Sequence, residues 1–220
     1  MSYKLRTGLS FCAVDDRLLF LDLPADRYFC LSRAAESAFA RLYRGDPLDP
    51  ADHARLAGLA QGSILVEADG AIPITPCPAP RTAVTSLIDP TNGRANPIDL
   101  SAALVHLAVA RIELRLAGFA QSIARLRRRK ARSSARAPRD RVAIAATAFD
   151  AAGAVVSMHD RCLPRAIAVA HRLLGLGAAP DLVVAVQLSP FQAHAWVQWE
   201  DMLVNERIEV ARQFTPILMV

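Results

Sequence analysis

Three short β-type runs open the chain, at 4–13, 17–23 and 27–31, joined by Asp15-Asp16 and by Pro24-Ala25-Asp26. Short apolar runs bounded by Asp and Pro clusters predict strands and turns, here a three-stranded meander. Ser32 then stands where a helix needs an N-cap, and the pattern through Ala38 and Leu42 stops at Gly45. Asp49 with Pro50 opens a second helix that ends near Gly62, and 64–66 with Asp69-Gly70 reads as a final strand and turn. Four prolines between 73 and 80, followed by Pro90, Gly93 and Pro97, interrupt every periodic pattern. The chain is therefore expected to divide into a domain over 1–73, a linker over 74–97 and a domain over 98–220.

Helical spacing dominates after the linker. Asp99 or Ser101 can cap a long helix carrying Leu100, Leu104, Leu107, Leu114 and Phe119, a second helix fits 142–156, and a third starts at Pro164 and ends before Gly175 and Gly177. Beyond Pro180 the pattern turns to strands at 182–188, 193–199 and 202–205, the last two closing a hairpin about Glu200-Asp201. Helices followed by an antiparallel ribbon make this half, and the chain as a whole, α+β.

Composition refines the picture. With 53% of its 220 residues hydrophobic and 21% charged, the chain is not disordered. The apolar stretches 100–120 and 142–158 are broken by charges such as Arg111, Glu113 and Asp150, so neither reads as a membrane span. The first residues lack an export signal, which makes a reducing cytoplasm the expected compartment. The net charge of +5 is local: 121–141 holds nine Arg or Lys against one Asp, leaving the remainder at about −3. A solvated helix end and loop accounts for such a patch without nucleic acid.

Four cysteines, Cys12, Cys30, Cys77 and Cys162, stand too far apart for a zinc module or a disulfide framework, so neither metal nor cofactor is expected. Cys162 differs from the others. Pro164 suits the first turn of a helix, placing Cys162 just ahead of a helix N-terminus, where amide donors, the helix dipole, Arg161 and Arg165 favour thiolate. His194 lies in the apolar run Ala193-His194-Ala195-Trp196-Val197, where an imidazole needs a partner, and the following hairpin returns acidic and amide side chains beside it. A Cys nucleophile, a His base and an Asp, Glu or Asn that orients the ring make a thiol hydrolase. The backbone N–H of Cys162 and the Gln187 side chain are the oxyanion candidates. Strand parity separates two orienting residues. A two-residue turn puts Asn205 on the His194 face, whereas a three-residue connection or a bulge puts Glu206 there, and the lack of a turn glycine favours the latter.

Arg161-Cys162-Leu163-Pro164-Arg165-Ala166, Pro190-Phe191-Gln192-Ala193-His194-Ala195-Trp196-Val197 and Val204-Asn205-Glu206 together resemble the transglutaminase-like, papain-like cysteine protease of lasso-peptide biosynthesis. The earlier run 17–23, with Arg27-Tyr28-Phe29-Cys30-Leu31-Ser32, is similar to the winged-helix domain that recognises leader peptides in pathways for ribosomally made peptides. The resemblance spans about 1–72 and 142–210. It implies a leader peptidase that cuts a precursor at the leader/core junction, with Cys162 as nucleophile, His194 as base and Glu206 where the family normally carries Asp. It also implies two partners, the precursor's leader and an ATP-dependent cyclase that closes the ring on the freed amine.

Physical reasoning places the leader on the edge formed by Asp26, Arg27, Tyr28, Phe29, Cys30 and Leu31, as an added strand. Two other functions fit the sequence as well. One is a thiol acyltransferase passing the acyl group to an amine; the other is a non-catalytic winged-helix nucleic-acid binder using the basic patch.

Overall fold

The computed structural model describes residues 2–70, 73–88, 95–133, 137–155 and 162–220. Contacts divide the chain into two units, Met1–Pro78 and Ala79–Val220.

The first unit runs β1 (Ser2–Leu5), β2 (Leu9–Val14), β3 (Arg17–Asp22), β4 (Arg27–Cys30), α1 (Arg33–Arg44), α2 (Pro50–Gln61) and β5 (Leu65–Ala68). The meander is β2-β3-β4, while β1 leaves it to pair antiparallel with β5. Gly8 explains why the expected single strand over 4–13 is two. Its φ of 89° is open to glycine, and a Cβ there would come within 2.8 Å of the Pro24 ring. Ser32 caps α1 through the Ala35 N–H, and Asp49 forms a capping box with Asp52 at the start of α2. Phe11, Phe20 and Phe39 fill the core, with Phe39 edge-on to both other rings at 5.1 Å. Glu36 is buried and satisfied by the Leu18 N–H at 2.6 Å and by Arg17 at 2.9 Å.

The segment 74–97 departs from the linker expected for it. Ile74 is buried in the first core, and the Cys77 N–H donates to the Phe11 carbonyl at 2.7 Å, so the first unit extends to 78. Thr85–Ser86, β6, joins the second unit as an edge strand parallel to β9 (Met202–Leu203). Proline density marked a stretch without periodic structure, yet the N–H groups of Cys77, Val84, Leu87 and Ile88 find partners.

The second unit continues with α3 (Pro97–Ala131), α4 (Arg139–Val155), α5 (Cys162–Gly175), β7 (Asp181–Leu188), β8 (Phe191–Trp199), β9, α6 (Ile208–Ala211) and β10 (Thr215–Met219). Its sheet has the order β10-β7-β8-β9-β6. Asn96 caps α3, ahead of both expected caps, Asp99 and Ser101, and Gly118 at φ 77° kinks the helix. The α5 helix packs against α3, α4, β7 and β8, and its Ile167, Val169 and Leu173 are buried. Buried Glu113 and His171 bridge α3 to α5 at 3.1 Å. Four of the nine basic residues in 121–141 are committed inside this unit: Arg125 to Glu113, Arg129 to His171, Lys130 to Asp181 and Arg139 to the Met202 sulfur. Arg136, and the end of α4 expected at 156, lie outside the described residues. Among the described residues no helix is long and apolar enough to cross a membrane, and no cluster of three metal-ligating side chains occurs.

Candidate active site

Cys162 is the first residue of α5, with Pro164 inside the first turn where its missing N–H costs nothing. The backbone thus starts the helix two residues earlier than the proline alone indicated. Burial opposes ionisation of the Cys162 thiol, but a hydrogen bond from His194, the charge on that ring and the N–H groups of Ala195 and Leu163 outweigh it and lower the pKa. Cys12 and Cys77 show the contrast: burial drives them to about 12 and about 11. Arg161 lies outside the described residues. Arg165, expected to act on the thiol, instead reaches Asp150 at 3.3 Å and lends its charge to Glu206.

His194 is on β8 directly opposite Ala185 of β7. Its Nε2 meets Glu206 Oε2 at 2.5 Å, which leaves Nδ1 for the sulfur. Burial would lower the pKa of His194, yet its bonds to Cys162 and Glu206 raise it to about 9. Glu206 is also opposed by burial and is nevertheless held below the usual carboxylate range by His194, by the Arg207 N–H on Oε1 at 2.9 Å and by Arg165. The three shifts run the same way: each favours the charged form of its group, thiolate at Cys162, imidazolium at His194 and carboxylate at Glu206.

The route by which Glu206 arrives corrects the expected hairpin. The connection has two residues, since Trp199 pairs with Met202 and Gln198 with Leu203, not the three-residue loop or bulge expected. Glu200 takes a left-handed φ of 57° without being glycine. A regular ladder in this register would turn Glu206 away from His194 and present Asn205. The ladder does not continue. The Val204 N–H still bonds the Val197 carbonyl at 2.9 Å, but the Val197 N–H goes to the Asn205 side-chain Oδ1 at 2.7 Å. Asn205 is consequently buried and committed to backbone, the chain bends after Leu203, and Ser86 Oγ donates to the Glu206 carbonyl at 2.8 Å. The bend delivers the Glu206 carboxylate to the ring. Asn205, the alternative orienting residue, is the brace of that bend.

Gln187 pairs with Gln192 on β7–β8, two residues from Ala185, and so shares the His194 face. Sequence reasoning missed the Phe214 ring, 5.1 Å from the His194 ring, and the Ser86 hydroxyl. Phe214 follows the one-turn α6, and Ser86 sits among prolines, so neither carried a periodic signal.

In the first unit, β4 is an edge strand of β2-β3-β4, as the added-strand argument requires. Phe29 packs inward, its ring stacked on Phe20 at 5.3 Å, and Arg27 lies over its outer side. Tyr28 alternates to the other face and Cys30 is half-buried. Asp26 turns the chain at φ 48°, and the Leu31 carbonyl accepts from Arg17 at 2.9 Å. A hollow of about 390 Å³ between α1 and the β2–β3 turn, lined by Arg17, Glu36 and Tyr43 among others, includes no residue of β4.

No curated protein and no solved structure matches the chain significantly. Residues 104–219, more than half the chain and all of the Cys162, His194 and Glu206 constellation, match the Transglutaminase-like superfamily, to which this chain belongs.

Proposed function

We propose that the protein is a cysteine endopeptidase that removes the leader from a ribosomally made lasso-peptide precursor. The observation that carries this reading is the His194 ring held between Cys162 and Glu206, the latter at 2.5 Å. The superfamily commonly contains enzymes of cysteine-protease type, and the lasso assignment draws on the motifs about Cys162 and His194. In this mechanism the Cys162 thiolate attacks the scissile carbonyl, and His194 hands its proton to the departing amine. Glu206 keeps the ring oriented and the imidazolium stable. Water, activated by the now neutral His194, then hydrolyses the leader thioester. The Leu163 and Ala195 N–H groups that face the sulfur polarise the same corner, and Gln187 is the side-chain candidate for the developing oxyanion.

The first unit acts as a winged-helix-type recognition domain that takes the leader as an extra strand on β4, about Asp26, Arg27, Tyr28, Phe29, Cys30 and Leu31. The freed core passes to an ATP-dependent cyclase. The work takes place in the cytoplasm and needs neither cofactor nor nucleic acid. Cleavage of a lasso precursor by the full chain, followed by mass spectrometry, tests this directly. Cys162→Ala should abolish cleavage and leave leader binding intact, and Cys12→Ala or Cys77→Ala should retain most activity. Retained cleavage by Cys162→Ala overturns the mechanism. Transfer of the leader's acyl group to added amines in preference to water identifies an acyltransferase instead.

A further inference from the structure

A cleft of about 220 Å³ opens within the second unit on the His194 face of the sheet. Its walls include Ala83, Trp196, Leu203, Ile208, Ala211 and Phe214. Side chains two apart on a strand share a face, so Trp196 stands beside His194 on β8. The Phe214 ring belongs both to the cleft and to the surroundings of the imidazole, 5.1 Å from it. The volume corresponds to about seven waters at ~30 Å³ each, or to one large side chain, and the lining is mostly hydrocarbon. Trp196 is 3% exposed, and its buried indole N–H has no acceptor among the described residues.

We propose that this cleft binds an apolar side chain on the leaving-group side of the scissile bond, within the first two residues of the released fragment. The inference rests on the thiol-hydrolase reading above. The path of the proton decides the side. His194 protonates the departing amine, so the released fragment lies against the imidazole while the acyl group lies on the sulfur. An extended chain advances about 3.3 Å per residue, which carries one of the first two residues past Phe214 into the cleft.

A probe needing no knowledge of the natural substrate tests this on the full chain. p-Nitrophenyl acetate acylates Cys162: a C–S bond forms at the carbonyl carbon and p-nitrophenolate departs. An added amine then attacks the thioester, gives a proton to neutral His194, and releases Cys162 as thiolate when the C–S bond breaks. By microscopic reversibility the amine occupies the leaving-group site. Glycinamide, leucinamide and phenylalaninamide are supplied together at equal concentration, and the N-acetyl products are counted by mass spectrometry, corrected for reactivity towards a free thioester.

Leucinamide or phenylalaninamide should capture the acetyl group about tenfold more often than glycinamide, as burial of one apolar side chain dictates. Ala83→Trp and, separately, Ala211→Phe should fill the cleft and bring the ratio towards one; the ratio is internal to each acetylated enzyme. Equal capture of all three amides, or a preference that survives in every filled variant that folds, overturns the cleft assignment and leaves the thiol chemistry standing. Failure to form acetyl-Cys162 overturns the thiol chemistry and this inference with it.

Discussion

Cys162 and Cys12 carry the same side chain, and their surroundings push its pKa in opposite directions. Both are buried enough to resist ionisation, but at Cys12 the Cys77 and Cys30 thiols add to that resistance, whereas Cys162 meets an imidazolium and two backbone N–H groups. Only the second environment makes a nucleophile. The ion pair dictates a pH profile whose limits belong to the coupled groups together. As pH falls through the depressed thiol value, Cys162 gains a proton and attack stops. As pH rises through about 9, His194 loses the proton the leaving amine requires. The kcat/KM for cleavage should thus be bell-shaped with its alkaline limb near pH 9, and alkylation of Cys162 by iodoacetamide should persist well below the range of an ordinary thiol. Glu206→Gln removes the carboxylate that raises His194, so the alkaline limb should move to lower pH. The kcat should drop by ~10²–10⁴, as when an orienting acid becomes its amide. An unchanged limb would show that Glu206 does not hold the imidazolium.

Among the elements, the β8–β9 hairpin joins fold to chemistry. Asn205 takes the Val197 N–H in place of a ladder carbonyl, and that substitution bends the chain so that Glu206 faces His194. Asn205→Ala should leave the buried Val197 N–H unpaired, costing about 1–3 kcal/mol. Activity should fall as well, because the carboxylate loses its brace. Glu206→Gln should leave the melting temperature nearly unchanged while removing most activity, so thermal melts of the two variants separate brace from orienting group. The same hairpin shows what was legible in the sequence. Caps at Ser32 and Asp49, the positions of α4 and α5, and strands β7 and β8 followed from side-chain chemistry and period. Turn length did not, because Glu200 adopts a left-handed conformation that its identity disfavours, and parity fails once a side chain replaces a ladder bond. Strands β6 and β10 stayed hidden. One has two residues among prolines, and the other contains Pro216 and a register shift, so only the sheet they complete defines them.

Over the whole molecule, two cores of different construction share one chain. The first gathers aromatic rings between a meander and two helices, and the second wraps a short-side-chain helix, α5, in α3, α4 and a five-stranded sheet. Each keeps its own buried set, so the units divide the labour proposed for them: recognition on the β4 edge, and bond cleavage at Cys162. Joining them makes capture of the scissile bond intramolecular once the leader is bound, at an effective concentration of roughly millimolar for a short connection. Removing residues 1–78 should therefore leave an enzyme whose iodoacetamide-reactive Cys162 is retained and whose cleavage at micromolar precursor falls by about tenfold or more. Saturating precursor should restore the rate, because the lost term is concentration and not chemistry. Supplying 1–78 as a separate fragment should recover the dilute-substrate rate only to the extent that the units bind one another without their covalent connection. Initial rates across a precursor titration, run for the full chain and for 79–220, measure the effect. Equal rates at the lowest precursor concentration would remove the first unit from substrate capture and leave the Cys162 chemistry untouched.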